Sequence, residues 1–186
     1  MNILIRALCD CDFQTYRTCY SNAEFKHFIY GDKPIDIEES FRNIVDKKNG
    51  ELEAYLVLYK DSESNETYNV VGFCNFLKHP EYPFRIRKET YAFNGGILPI
   101  FFNTGMGIFA CASLLKLFFL KHPDADLYAS TFHYNSRSTK MLKALGFEQL
   151  QQCWYGKNHF LLDEYHFLDN DLAVRLLSRV QLEFDV

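Results

Sequence analysis

The spacing of apolar side chains along the chain divides it into a series of strands and helices. Residues 3–8 predict a first strand, and apolar positions at three- and four-residue intervals between residues 10 and 49 predict two helices. The order strand, strand, strand, helix, strand, helix, strand, strand then follows at residues 53–60, 68–77, 91–98, 106–121, 127–132, 136–145, 148–155 and 158–167. This order predicts an α/β (mixed α+β) fold, with a mixed sheet and helices on both of its faces.

The last segment has a different pattern from the rest. From residue 169 onward, Leu172, Leu176 and Leu177 recur at helical spacing. We therefore expect one domain over residues 1–168 and a C-terminal helical tail, 169–186, packed on it. The helix at 106–121 is apolar nearly all round, so either this tail or a second copy of the chain in a homodimer would cover it.

Composition limits the classes of function. The chain has 186 residues, of which 48% are hydrophobic, enough for one buried core. Its net charge of −4 offers no basic field for a nucleic-acid backbone, so nucleic-acid binding is disfavoured. The run 97–120 approaches the length of a membrane span, but Pro99, the turn at 103–105 and Lys116 interrupt it, and we expect no membrane segment.

The N-terminus and the cysteines indicate a reducing compartment. The first residues lack a basic region followed by an apolar stretch, so a cytoplasmic location is expected. The six cysteines include no CxxC pair and predict free thiols. Cys9, Cys11, Cys19 and His27 do not have the spacing of a common zinc site, and we expect no metal.

The first feature that suggests chemistry is the strand-to-helix junction at 99–108. Gly105 and Gly107 would let the backbone approach a ligand closely. The free amides of the helix's first turn favour an anion, so a phosphate or pyrophosphate would fit there. Ordinary turn chemistry explains a GxG at such a junction equally well.

A second motif follows the strand at 127–132. Asn135 begins a helix that Gly146 ends, and capping alone explains these two residues. The combination of Pro99, the GxG, Asn-x-x-Ser at Asn135 and Ser138, and the Gly146-Phe147 step resembles the GCN5-related N-acetyltransferase (GNAT) superfamily. Within it, the motif is most similar to the branch that acetylates the N-termini of ribosomal proteins and to its relatives that modify small molecules.

The resemblance implies a GNAT fold with a splayed sheet of six or seven strands. In it, the strand at 91–98 bulges near Gly95 and Gly96, parts from the strand at 127–132 and admits the pantetheine arm of coenzyme A. Glycine inside a strand independently indicates either a bulge or a close backbone approach. The implied co-substrate is acetyl-CoA, and the implied reaction is direct attack of an amine on the thioester, with no covalent enzyme intermediate.

The same resemblance, with the local charge, assigns the cofactor contacts. The amides of residues 103–107 would cradle the pyrophosphate, Asn135 would bind the pantetheine, and Ser138 would lie near the thiol. Arg137 is a candidate phosphate contact, although a solvated helix face explains it equally well. The expected cofactor-binding residues are Ile97, Leu98, Phe102, Asn103, Thr104, Gly105, Met106, Gly107, Asn135, Arg137 and Ser138.

Acyl transfer needs an oxyanion donor, a proton acceptor and a proton donor. A backbone N–H near Ile97 or Leu98, freed by the bulge, is the expected oxyanion donor. The candidate proton donors are Ser138 and Tyr134. The candidate proton acceptors are a water chain, Tyr91, His133 and Glu89, although packing or solvation also explains each of these side chains.

Three positions depart from the superfamily's usual pattern. Ala92 stands where many relatives have a carboxylate, and Leu142 where many have a tyrosine. Phe102 replaces the usual Gln or Arg of the loop, which weakens the side-chain part of phosphate binding but leaves the backbone part. These departures favour a second hypothesis, a GNAT-fold sensor that binds acyl-CoA without turnover. A third hypothesis, a structural role without CoA, requires the motifs to agree by coincidence.

Charge is unevenly distributed and bears on the acceptor. Residues 54–162, which hold both motifs, carry 11 basic and 8 acidic side chains, whereas residues 9–53 carry 10 acidic and 6 basic ones. The acidic N-terminal helices resemble the segment that shapes the acceptor site in this superfamily, and an amine is cationic until it is deprotonated. We therefore predict an acyl-CoA-dependent N-acyltransferase, most simply an N-acetyltransferase, with a cationic small molecule or a protein N-terminus as acceptor.

Overall fold

The computed structural model describes residues 2–31, 33–46, 51–60, 67–78, 89–155, 160–167 and 181–185. Five helices lie within these ranges: α1 (Phe13–Tyr20), α2 (Ala23–Tyr30), α3 (Ile37–Asp46), α4 (Met106–Lys121) and α5 (Ser136–Ala144). The strands described are β1 (Asn2–Ala7), β2 (Leu52–Lys60), β3 (Asn69–Lys78), β4 (Thr90–Ile97), β5 (Asp126–Phe132), β6 (Phe147–Tyr155), β7 (Phe160–Phe167) and β8 (Gln181–Asp185). Two short 3-10 turns, Asp10–Asp12 and Pro99–Phe101, precede α1 and α4.

The strands form one mixed sheet, which confirms the predicted fold class. Across the described residues its order is β6-β7-β5-β4-β3-β2-β1-β8. The pairs β4–β5 and β1–β8 are parallel, and the other pairs are antiparallel. The described part of the chain therefore contributes eight strands to the sheet, where six or seven were expected.

The additional strand corrects the prediction for the tail. Gln181–Asp185 is not helical but pairs in parallel with β1, from Asn2 opposite Gln181 to Arg6 opposite Asp185. The segment alternates polar and apolar residues, which is the period of a strand and not of a helix. The helically spaced leucines lie in 168–180, outside the described residues, as do residues 61–66 of the predicted hairpin loop.

The N-terminal helical region contains three helices, not the two predicted. Ser21 and Asn22 separate α1 from α2, and the Asn22 side chain accepts the Phe25 N–H at 3.0 Å. This cap starts a new helix within an apolar pattern that continues almost unbroken, so the spacing alone did not reveal the break. Asp36 caps α3 in the same way, accepting the N–H groups of Glu38 and Glu39 at 3.0 Å each.

Each face of the sheet has its own hydrophobic cluster, because alternate strand residues point to opposite faces. Leu56 and Phe73 pack with α1–α3, whereas Val57 and Phe76 pack with α4. Helix α4 is buried within the single chain, with Leu114 and Leu115 fully inaccessible. Helices in the described residues are all too short or too polar to cross a bilayer.

Two of the cysteines correct the prediction of free thiols. Cys9 and Cys11 form a disulfide across the first 3-10 turn, because a spacing of two residues brings their sulfurs together there. Their sulfur atoms and the Asp12 carboxylate lie within 4.8 Å of one another. The Asp12 carboxylate also accepts two hydrogen bonds from Arg6, at 2.8 and 2.5 Å, so protein groups already engage all three side chains. Cys19, Cys74, Cys111 and Cys153 are free thiols.

The pairing of β4 with β5 ends early, as the splayed sheet requires. The parallel register runs from Thr90 opposite Asp126 only to Phe93 opposite Ala129. The antiparallel register with β3 continues to Ile97 opposite Gly72. The last four residues of β4 therefore pair on one side only, and we call the space on their other side the gap.

The close contact between Gly72 of β3 and the end of β4 can be tested by substitution. A Cβ at Gly72 would lie 2.1 Å from the Gly96 carbonyl oxygen and 3.1 Å from the Ile97 Cα. Because these are backbone atoms of a paired strand, Gly72→Ala should lower the free energy of unfolding by about 2–3 kcal/mol, measured by urea denaturation. Gly107→Ala is the matched control, since a Cβ there would meet Ile97 at an ordinary 3.5 Å, and stability should stay equal or rise. Equal stability in both variants would contradict the contact.

Candidate active site

A cavity of about 660 Å³ lies where β4 and β5 part. Its walls are the ends of both strands, the loop 99–105, the first turns of α4 and α5, and the inner sides of α1 and α2. The carboxyl ends of parallel strands are a common place for ligand sites, because loops and helix N-termini converge there. The predicted site residues that line the cavity are Ile97, Phe102, Asn103, Gly105, Gly107, Asn135, Arg137 and Ser138.

Gly95 and Gly96 serve close packing, and the predicted bulge is not found in their pairing with β3. The β3–β4 register is unshifted from Gly72–Ile97 to Lys78–Tyr91. A Cβ at Gly96 would lie 2.1 Å from the Ile29 Cδ1 and 2.9 Å from the Phe25 Cε2, so glycine lets α2 pack directly on β4. Of the two explanations that a strand glycine permits, the close approach is the correct one.

The backbone at the end of β4 decides which amide faces the gap. The Leu98 N–H donates to the Val71 carbonyl at 2.8 Å, and Leu98 does not line the cavity. Leu98 is therefore wrong as a free donor, because β3 holds its amide. Successive N–H groups of a strand point to opposite edges, so the Ile97 N–H points toward the gap.

The loop before α4 turns sharply through two left-handed residues. Asn103 has a φ of 61° and Gly105 a φ of 82°, a conformation that glycine adopts without strain. The Thr104 hydroxyl donates to the Phe101 carbonyl at 2.7 Å and accepts the Met106 N–H at 3.2 Å. Thr104 and Met106 do not line the cavity, and the Met106 amide is not free for a phosphate.

Other amides of this loop and helix are available. Among the described residues, no acceptor takes the N–H of Asn103, Gly105, Gly107 or Ile108. The last two belong to the first turn of a 16-residue helix, where the helix dipole favours negative charge. The free amides thus extend one residue beyond the predicted range 103–107, to Ile108.

Asn135 and Ser138 lie on the opposite wall, at the start of α5. Asn135 is only 5% exposed, and its Oδ1 accepts the Ser138 N–H at 3.2 Å. The capping role predicted from sequence is therefore confirmed. The Asn135 Nδ2 has no protein partner in the described part of the chain, and the residue lines the cavity, so this nitrogen can donate to a ligand.

Arg137 bridges the mouth of the cavity. Its guanidinium lies 4.7 Å from the centre of the Phe102 ring and 5.7 Å from that of Phe28, and it pairs with Glu24 at 3.1 Å. Both members of this ion pair are about half exposed, so the pair contributes little to stability. The contacts place a positive charge beside the loop 99–105, where an anionic ligand would reach it.

Tyr134 and His133, two residues considered for proton transfer, lie outside the cavity wall. Tyr134 is half exposed and stacks on Phe132 and His27 at 5.2 and 5.3 Å. The His133 Nδ1 lies 3.2 Å from both carboxylate oxygens of Asp163. Neither is among the residues that line the cavity.

Tyr91 and Glu89 are wrong as proton acceptors, because they lie at the far end of β4. Six residues separate Tyr91 from Ile97, which is about 20 Å of extended strand. There Glu89 pairs with Lys78 at 2.6 Å, and the Tyr91 hydroxyl contacts Glu89 and His122 at 3.4 Å. Burial, with the nearby Glu89 charge, raises the pKa of Tyr91 to about 12, so its hydroxyl stays protonated.

The residues that sequence analysis missed are aromatic side chains on one side of the cavity. They are Tyr16, Tyr20, Phe25, Phe28, Tyr30 and Phe73. The spacing of Tyr16, Tyr20, Phe25 and Phe28 predicted helix faces packed on a core, and the first three are buried in the hydrophobic cluster that packs with α1–α3. Only the three-dimensional packing shows that these side chains also line the cavity.

A cavity thiol does not offer a nucleophile. Cys74 lines the cavity, and its hydrogen bond with the Cys111 thiol, together with burial, raises its pKa well above the usual range. Cys153 is no better, since burial and the neighbouring Glu164 carboxylate raise its pKa as well. Both groups therefore stay protonated near neutral pH.

Comparison with known proteins identifies the domain. A family model described as an acetyltransferase (GNAT) domain matches residues 2–148. No curated protein matches the chain in sequence.

Solved structures share the fold over nearly the whole chain. Spermidine N-acetyltransferase from Vibrio cholerae, in complex with CoA and spermine, superposes with a TM-score of 0.69 at 13% identity, covering 92% of this chain and 98% of its own. A domain from Methanocaldococcus jannaschii gives 0.65 at 19% identity, covering 89% and 98%. A candidate phosphinothricin N-acetyltransferase gives 0.66 at 15% identity, covering 89% and 97%. Because the sequence identities are below 20%, these structural similarities establish a shared fold only.

Proposed function

The chain belongs to the GNAT acetyltransferase family, and from that premise we propose that it transfers an acetyl group from acetyl-CoA to the amine of a small molecule. The observation that carries the proposal is the gap itself, with free backbone amides at one end and Asn135 on its wall. The structural neighbours named for spermidine and phosphinothricin acetylation support a small acceptor. A protein N-terminus, which the sequence motif favours, is the alternative acceptor. We expect the reaction to run in the cytoplasm.

The cavity fits acetyl-CoA, which supplies an activated thioester when bound. We assign its pyrophosphate to the amides of Gly105, Gly107 and Ile108 and its pantetheine amide to the Asn135 side chain. Such charge-assisted contacts to backbone N–H groups are among the stronger hydrogen bonds in proteins. Arg137 adds a positive charge beside the same loop.

The catalytic roles follow from the groups that face the gap. The Ile97 N–H stabilises the negative charge that develops on the carbonyl oxygen, a contribution on the order of 3 kcal/mol. Ser138 lies on the opposite wall and donates the proton that the leaving thiolate requires. The protonated Cys74 thiol supports direct transfer from thioester to amine, without an acyl-enzyme step.

Gly107→Val tests the cofactor assignment. The branched side chain would fill the space beside Ile97 and Met141, which a single Cβ enters at 3.5 and 3.7 Å, and would obstruct the approach to the Gly107 amide. We expect the affinity for CoA, measured by calorimetry, to fall at least tenfold (~1.4 kcal/mol) while circular dichroism shows an intact fold. Unchanged affinity would contradict the assignment of the pyrophosphate to the N-terminus of α4.

Ser138→Ala tests the proton donor. Loss of a general acid should lower kcat for thiol release by about 100-fold and leave CoA affinity nearly unchanged. Tyr134→Phe is the control and should keep full activity, because that hydroxyl lies outside the cavity wall. Full activity in both variants would indicate that solvent, and not a side chain, supplies the proton to the leaving thiolate. Tight CoA binding by the wild type with no turnover of any amine would instead favour a sensor that only binds acyl-CoA.

A further inference from the structure

An ion pair at the mouth of the cavity joins two helices that are far apart in sequence. The Nη1 of Arg137, in α5, donates to the Oε1 of Glu24, in α2, at 3.1 Å, and each side chain is about half exposed. Arg137 lines the cavity, whereas Glu24 does not. An anion that enters the cavity here therefore meets a guanidinium that already has a carboxylate partner.

The two members of this pair depend on each other unequally. Arg137 is the second residue of α5, and no acidic side chain lies in the first turn of that helix. The positive end of the helix dipole makes a cation there unfavourable unless an anion lies beside it. Glu24 is the second residue of α2, where the same dipole favours a carboxylate. The Glu24 charge therefore remains stabilised when Arg137 leaves it, whereas Arg137 requires another anion.

Two aromatic rings hold the Arg137 guanidinium in place independently of Glu24. Its Cζ lies 4.7 Å from the centre of the Phe102 ring and 5.7 Å from that of the Phe28 ring. Both distances are within the range of a cation–π contact. Phe102 belongs to the loop 99–105, so the guanidinium can stay beside this loop when its anionic partner changes.

A phosphate of CoA is a stronger partner for this guanidinium than the Glu24 carboxylate. CoA carries several negative charges on its phosphates, and phosphate oxygens match the planar donors of arginine as well as a carboxylate does. A phosphate and a carboxylate on one guanidinium would repel each other, so one partner replaces the other. The exchange costs little, because a half-exposed ion pair shifts an equilibrium by about fivefold at most.

We propose that Glu24 is a specificity-determining residue of the cofactor site, which occupies Arg137 in the free protein and yields it to a phosphate of the cofactor. The proposal rests on the acetyl-CoA-dependent function proposed above. Because Glu24 has to be displaced, it lowers the affinity of every anion at this place by a similar factor. Weakly bound, singly charged anions are thereby excluded, whereas a polyanion such as CoA still binds.

A double-mutant cycle on Glu24 and Arg137 tests the exchange. The affinity of the full-length protein for CoA is measured by calorimetry at an ionic strength of about 50 mM, where screening of exposed charges is weak. We expect Glu24→Gln to raise the affinity about two- to fivefold and Arg137→Gln to lower it at least about threefold. In the Arg137→Gln background, Glu24→Gln should change the affinity by less than about 1.5-fold, because no guanidinium remains to be released.

Glu38→Gln is the matched control, because it removes the same charge from a similar pair. Glu38 pairs with Arg42 within α3, both side chains are exposed, and neither residue lines the cavity. This variant should leave the affinity for CoA within about 1.5-fold of the wild type. At about 1 M salt the effect of Glu24→Gln should disappear, because the Debye length falls to about 3 Å.

Each outcome decides one question. An equal rise in affinity in both Arg137 backgrounds, or a similar rise in Glu38→Gln, would indicate a general charge effect and overturn the exchange. Unchanged or weaker CoA binding by Glu24→Gln would also overturn it, while binding by the wild type would leave the cofactor site standing. A wild type that does not bind CoA would overturn the proposed function and this inference with it.

Discussion

The site depends on one constraint, the end of pairing between two parallel strands. After Phe93 and Ala129 the backbone of β4 has no partner on the β5 side, while β3 still holds its other edge through the Leu98–Val71 hydrogen bond. A strand held on one edge only presents its amides to a ligand at fixed positions. Backbone donors of this kind need no reorganisation when charge develops, which makes them suited to acyl transfer. The side chains that the superfamily usually adds at Ala92 and Leu142 are absent here, so the mechanism we propose gives the backbone a larger part of the chemistry.

The elements around the gap keep it open and divide it into two ends of different chemistry. Gly96 lets α2 approach β4, and aromatic side chains of α2 then line the cavity. The left-handed turn at Asn103 and Gly105 aims the first turn of α4 at the other end, where its amides and Arg137 favour an anion. The polyanionic cofactor of the proposed reaction would therefore enter the cavity from this end. Glu24 of α2 and Glu38 of α3 form ion pairs at the surface.

Sequence predicted those parts of the fold that local signals encode. The helix at 106–121 agrees with α4, and β5 and α5 agree to within one residue, because caps, glycines and clear periodicity mark their ends. The break at Asn22 was missed, since one cap residue within a continuous apolar pattern is a weak signal. Spacing could not show that Thr104 takes the Met106 amide, or that β3 takes the Leu98 amide, because both depend on tertiary geometry. It also could not show that aromatic side chains of the N-terminal helices would line the cavity.

The claim that backbone amides at the gap hold the cofactor is tested most directly by amide chemical shifts. A titration of 15N-labelled protein with CoA, followed residue by residue, reports on each N–H separately. We expect the largest shifts at Ile97, Gly105, Gly107 and Ile108, with the Leu98 and Met106 amides changing little because Val71 and Thr104 already accept them. Saturable shifts concentrated elsewhere, with these four amides unmoved, would contradict it.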